Sequence, residues 1–236
     1  MPKLIFDIET IGEDFDLLDE TTQAVLTRWI KKESLNEAEY QTELQNMKAG
    51  LGFSALTGEI VAVGVLDYES NRGTVYFQAP EQNLGIFEEG NFTFAPATEK
   101  EILERFWATA KPYQEYVSFN GRGFDVPFLM IRSAVHKIKP TKDLMSNRYL
   151  SNQRFDALHI DLLDQLTFYG ALRRRGNLHL WSRLFGIKSP KADGVSGDDV
   201  GRLFKEKKFL EIARYNIGDL QATKEIFDYW QNYLKF

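Results

Sequence analysis

The sequence predicts an α/β protein, a mixed sheet covered by helices in one domain. Three observations predict it. Apolar, β-branched runs stand at residues 3–8 and 58–67. Three- and four-residue periodicity dominates the second half of the chain. The two patterns alternate along 236 residues with no internal repeat and no linker to divide them.

Taken in order, residues 3–8 read as a buried strand. Residues 13–57 read as an insertion. Its first part, 13–50, is polar and rich in Glu, Gln and Leu; Ala24, Val25, Leu26, Trp29, Ile30 and Leu35 fall at roughly helical spacing, and Gly50 and Gly52 end it. Residues 58–67 (GEIVAVGVLD) form a central strand, 69–73 a turn and 74–78 a returning strand, together an antiparallel hairpin. Residues 79–97, with Pro80, Pro96 and several Gly and Asn, read as a loop. Thr98 and Glu101 have capping-box spacing and open a helix that runs to about Lys111. A short strand at 116–119, a turn at 120–123 and a helix at 124–135 follow. The remainder is mainly helical, apart from loops at 139–153 and 188–197 and a short segment at 158–161. In 209–236, Phe209, Leu210, Ala213, Ile217, Leu220, Thr223, Ile226, Phe227 and Trp230 mark one long closing helix.

Composition excludes several classes. There is no cysteine, so neither a disulfide nor a thiolate metal site is possible. The first apolar run is too short for a secretion signal, and no stretch is long enough to span a membrane; a cytoplasmic protein is expected. The formal net charge of −5 argues against a nucleic-acid binder. It does so less if several carboxylates hold divalent cations where phosphate binds.

Three groups of residues carry chemistry. In Phe6-Asp7-Ile8-Glu9-Thr10, strand alternation puts Asp7 and Glu9 on one face. Two such carboxylates repel unless a cation separates them, and oxygen ligands suit Mg²⁺ or Mn²⁺; a solvent-facing pair at a strand end also fits. In residues 117–125 (VSFNGRGFD) a strand turns through two glycines into a helix. Asp125 there reads as an N-cap or first-turn acid favoured by the helix dipole, as a ligand, or as both. In Tyr215-Asn216-Ile217-Gly218-Asp219, the four-residue step stacks Tyr215 on Asp219. A Tyr–carboxylate hydrogen bond at the surface gives the same pattern, and Gly218 inside a helix costs about 1 kcal/mol relative to Ala.

Together, Asp7-x-Glu9, Asn120 with Phe124-Asp125, and Tyr215-x-x-x-Asp219 resemble the three exonuclease motifs of the DEDD superfamily, in its DEDDy branch. The sister branch has His five residues before the last Asp, where this chain has Arg214. The chain is most similar to the proofreading domain of family B DNA polymerases and to its stand-alone relatives, predicted 3′–5′ exonucleases. Residues 159–162 (HIDL) and the loop 190–197 share that likeness, whereas 13–57 has no counterpart. The resemblance implies a ribonuclease H-like fold, a mixed five-stranded sheet flanked by helices whose first three strands are antiparallel. It implies that Asp7, Glu9, Asp125 and Asp219 hold two Mg²⁺ or Mn²⁺ ions, with Asp7 shared between them. It implies that Tyr215 orients the attacking water; an ordinary phenol, with a pKa of about 10, is a poor base at neutral pH. The substrate is then expected to be the 3′ end of DNA, preferably single-stranded, with nucleoside 5′-monophosphates released. Thr10, Ile11, Asn120 and Phe124 fall where the family meets its substrate.

Other residues carry less. Arg173, Arg174 and Arg175, and Lys137, Lys139 and Lys142, read as solvated faces or phosphate contacts. Trp181 and Phe185 read as core, Asp161 as a structural or supporting acid, and His136, His159 and His179 as non-ligands. Rival readings are an RNA exonuclease, a non-catalytic nucleic-acid-binding module and a small-molecule phosphohydrolase on the same acids.

Overall fold

The computed structural model describes residues 1–188 and 196–235. Residues 189–195 of the expected 188–197 loop and Phe236 of the expected last helix lie outside the described residues.

Strand β1 (Lys3–Gly12) lies inside a sheet covered on both faces, which is why its sequence is a nearly continuous apolar run. Leu4, Phe6 and Ile8 join one core layer, Ile5 the other. Two helices follow, α1 (Glu20–Glu33) and α2 (Glu37–Gly50). Asp19 and Asn36 cap them by accepting the Thr22 and Glu39 backbone N–H. The insertion returns through a 3₁₀ turn at Leu51–Phe53. There Gly52 approaches Gly12 so closely that a Cβ on Gly12 would lie 2.7 Å from the Gly52 nitrogen.

The chain continues through β2 (Gly58–Asp67), β3 (Gly73–Phe77), β4 (Phe87–Glu89), β5 (Phe92–Pro96), α3 (Glu99–Ala110), β6 (Glu115–Ser118) and α4 (Asp125–Val135). It ends with β7 (Leu158–Asp161), α5 (Leu162–Leu166), α6 (Leu178–Phe185), α7 (Val200–Lys205) and α8 (Phe209–Tyr233). Thr98 and Glu101 form the expected capping box on α3. The sheet order is β4-β5-β3-β2-β1-β6-β7. Strands β1, β2 and β3 are antiparallel neighbours, and β6 and β7 run parallel to β1. One core layer packs α3 and α4 against the sheet, the other packs α8.

The mixed α/β sheet is as expected, with seven strands rather than five. The two additional strands, β4 and β5, fall in residues 79–97, expected to be a loop. β5 is buried through Phe92, Phe94 and Ala95 and runs parallel to β3, while β4 precedes it as an antiparallel neighbour, the chain reversing at Gly90 with φ 62°. No helix among the described residues is long and apolar enough to cross a membrane.

Candidate active site

The site forms where β1 leaves β6. The two strands pair only over Lys3–Ile5 on β1, because β6 ends at Ser118 and the chain turns away. Beyond that point, the Ile8 N–H is taken by Asp125 Oδ1 at 3.1 Å. Asp125 is the first-turn acid of α4 and not its cap. Phe124 holds the cap position without a side-chain bond, and the Asp125 carboxylate turns toward β1. Burial pushes its carboxyl up to about 7; Asp161 and Asp219 add to the rise, while its own backbone N–H and that of Ile8 oppose it.

The turn that carries Asp125 is fixed by Asp161, at the end of β7. Asp161 Oδ1 accepts from the Asn120 and Leu163 N–H and Oδ2 from the Arg122 N–H, at 2.9–3.0 Å. His159 supports the same turn. The Leu144 carbonyl can only accept, so His159 Nδ1 carries the proton, and Nε2 accepts from the Ser118 hydroxyl at 2.8 Å. Burial holds this imidazole neutral, with a pKa of about 3. Asp161 is a structural support, as the sequence suggests, and His159 joins it, a role the sequence did not indicate.

Asp7 and Glu9 share the face of β1 that looks toward α8, and α8 brings Asp219 to them. One carboxylate oxygen from each of Asp7, Glu9 and Asp219 lies within 4.8 Å of the others. Burial raises Asp7 well above the usual carboxylate range, helped by Asp125, Asp219 and Glu9. Glu9 is raised in the same way by burial and by Asp219. Neither they nor Asp125 forms an ion pair with a cation among the described residues. Buried oxygens that repel one another in this way suit a hard divalent cation.

Tyr215 is half-buried, and its hydroxyl is hydrogen-bonded to Asp219. Burial, followed by the charges of Asp219, Glu9 and Asp7, keeps the phenol protonated far beyond neutral pH. A cavity of about 220 Å³ opens beside it, lined by Asn177, His179, Asp198 and Asp219 among others. A second, of about 490 Å³, shares Gly197 and Asp198 with the first and reaches Thr10, Ile11 and Phe53.

The expected substrate residues separate. Thr10 donates its hydroxyl to the Gly52 carbonyl at 2.6 Å and so anchors the insertion. Ile11 lines the larger cavity. Asn120 is held through its backbone by Asp161. Phe124 packs on Phe128 with ring centroids 5.1 Å apart. Arg173, Arg174, Arg175, Lys137 and Lys139 are exposed, and Lys142 donates to the Asp156 carbonyl. Trp181 and Phe185 pack against the core, as expected.

Sequence reasoning missed Asn216. Its amide nitrogen donates to Asp7 Oδ2 at 2.8 Å and reaches Glu9 Oε1 at 3.5 Å, and the residue is wholly buried. Room for it exists because Gly64 stands opposite Asp7 on β2: a Cβ there would lie 1.9 Å from Asn216 Oδ1. The signal was present, since Asn216 is a polar residue in the apolar stripe of Ile212, Ala213, Leu220 and Ile226.

A family model described as a predicted 3′-5′ exonuclease related to the exonuclease domain of PolB matches residues 75–233. Asp125, Tyr215 and Asp219 fall within the matched residues; Asp7 and Glu9 precede them. No curated protein matches the chain.

Proposed function

The chain belongs to the family of predicted 3′–5′ exonucleases related to the exonuclease domain of PolB, and from that premise we propose that it hydrolyses the terminal phosphodiester at the 3′ end of DNA, preferably single-stranded, releasing nucleoside 5′-monophosphates. The observation that supports this reading is the convergence of Asp7, Glu9 and Asp219 within 4.8 Å. These acids, with Asp125, would hold two divalent ions, Mg²⁺ or Mn²⁺. Such ions lower the pKa of water and offset charge on the phosphoryl oxygens. The protein's own groups do the rest. Asn216 fixes the Asp7 and Glu9 carboxylates. Tyr215, a protonated phenol bonded to Asp219, orients water and does not act as a base. Asp125, tied to β1 through the Ile8 N–H, closes the site from α4.

The test is a digestion time course with Mn²⁺ on 5′-labelled single-stranded DNA, with matched RNA alongside. Stepwise shortening from the 3′ end of the DNA is expected. Asp7→Ala should slow it by about 100-fold or more, since losing a ligand exceeds the loss of a residue that merely supports one. Equal digestion by Asp7→Ala sinks the site assignment, and faster digestion of RNA reassigns the substrate.

A further inference from the structure

The insertion 13–57 has an inner and an outer side. Helix α1 packs inward through Gln23, Thr27 and Ile30. Gln23 Nε2 donates to the Phe15 and Leu18 carbonyls, and Thr27 and Ile30 are buried. At roughly 100° per residue, the opposite side of α1 carries Val25, Arg28, Trp29 and Lys32. All four are exposed, Trp29 by 46% and Val25 by 68%. Arg28 and Lys32 form no ion pair among the described residues, whereas half of the other arginines are paired. Glu20 is exposed off this face, and Glu33, one turn after Trp29, stands at its edge.

We propose that this face of α1 is a docking surface for single-stranded nucleic acid. A base would stack on Trp29, and phosphates would pair with Arg28 and Lys32. In a chain of net charge −5, a face whose two unpaired cations outnumber the one acid at its edge is complementary to a polyanion. An exposed indole beside cations is what a base-stacking platform requires. The insertion is also fastened at the catalytic end of β1. Gly52 meets Gly12 there, the Gly52 carbonyl accepts the Thr10 hydroxyl, and Thr10 follows Glu9 directly. The choice of nucleic acid as partner rests on the exonuclease reading.

The full chain is compared with two variants, Trp29→Ala and the double variant Arg28→Ser/Lys32→Ser. The probe is a fluorescein-labelled single strand of about 20 nucleotides, longer than the ~4–16 nucleotides one stacking site spans. Binding is followed by anisotropy in chelator, so that nothing is cut. Each variant should weaken binding about tenfold. The double variant should also reduce the slope of log affinity against log salt by about 1.4, at ~0.7 per phosphate contact. Quenching of tryptophan fluorescence by the strand should be lost in Trp29→Ala. With Mn²⁺, turnover of a trinucleotide should be the same in all three proteins. Unchanged affinity and slope in both variants overturn the proposal. So does a variant that only converts a dimer to a monomer in light scattering, or that loses affinity for anionic vesicles and not for the strand. If the variants lose binding while the unmodified chain cuts nothing, the surface stands and the exonuclease reading falls. If cutting is normal and binding is unchanged, the reading stands and the surface falls.

Discussion

Removing the Asn216 amide would leave Asp7 and Glu9 facing each other without the donor that now bonds them at 2.8 and 3.5 Å. Groups that orient metal ligands typically change metal affinity by about 10–100-fold when removed. Asn216→Ala is therefore expected to weaken Mn²⁺ binding by that much in calorimetric titration, with the fold retained. Wild-type affinity in this variant would refute the role given to Asn216. Gly64→Ala attacks the same contact from β2. Its methyl would meet Asn216 Oδ1 at 1.9 Å and Leu220 Cδ1 at 2.7 Å. A packed core resists such an insertion at about 1–3 kcal/mol, so the variant should lose both stability and Mn²⁺ affinity. Asn216 and Asp7 are 209 positions apart, and no local pattern links them.

Among the elements, α3 and α4 are joined to the sheet by a buried acid. Glu99 Oε1 accepts from the Ile60 N–H at 2.8 Å, Arg132 reaches both Glu99 oxygens, and His136 Nε2 lies 2.6 Å from Oε2. Burial alone would raise this carboxyl. The bonds to Arg132, His136 and Ile60 outweigh it and hold the carboxyl below its ordinary value. Removing one partner of such a pair strands the other's charge, at about 3–5 kcal/mol. Glu99→Ala should cost that much in urea denaturation. Arg148→Ala breaks a pair whose arginine is 41% exposed, and should cost only about 0–1 kcal/mol. Equal losses in the two variants would contradict this. The same level explains why residues 79–97 read as a loop. Phe92 and Phe94 give β5 two inward aromatic residues in a run interrupted by turn formers, and only the edge of β3 makes it a strand.

For the whole molecule, the acid cluster stores repulsion that a bound cation would relieve. Asp7, Glu9 and Asp125 all have carboxyls raised above their ordinary values. A raised acid binds its proton more tightly in the folded state than in the unfolded one. Its stabilising contribution is present below the ordinary value and is lost as pH rises through the folded one. For Asp125 that window runs from its ordinary 3.8 to about 7. The metal-free protein should therefore melt at a lower temperature at about pH 8 than at about pH 5, as far as these groups decide it. Saturating Mn²⁺ should reverse the difference. At a hundredfold excess over its dissociation constant it adds about 2.7 kcal/mol, or about 5–10 °C for a chain of this length. Thermal melts in chelator and in Mn²⁺ at both pH values test it. A metal shift that is larger at the lower pH would contradict it.

The sequence by itself determined what short-range periodicity can carry. The two-residue step of β1 put Asp7 and Glu9 on one face, the four-residue step of α8 put Tyr215 over Asp219, and the Thr98–Glu101 spacing opened α3. These features depend on backbone geometry within a few residues. Only the tertiary structure decided the strand order, the two additional strands, the Asn216–Gly64 contact and the placement of the Asp125 carboxylate. The sequence left Asp125 as a cap or first-turn acid, a ligand or both, and the structure puts it in the first turn of α4 with its carboxylate on the Ile8 N–H, where β1 and β6 separate. Each of these rests on groups far apart in the chain, whose meeting depends on how the layers pack.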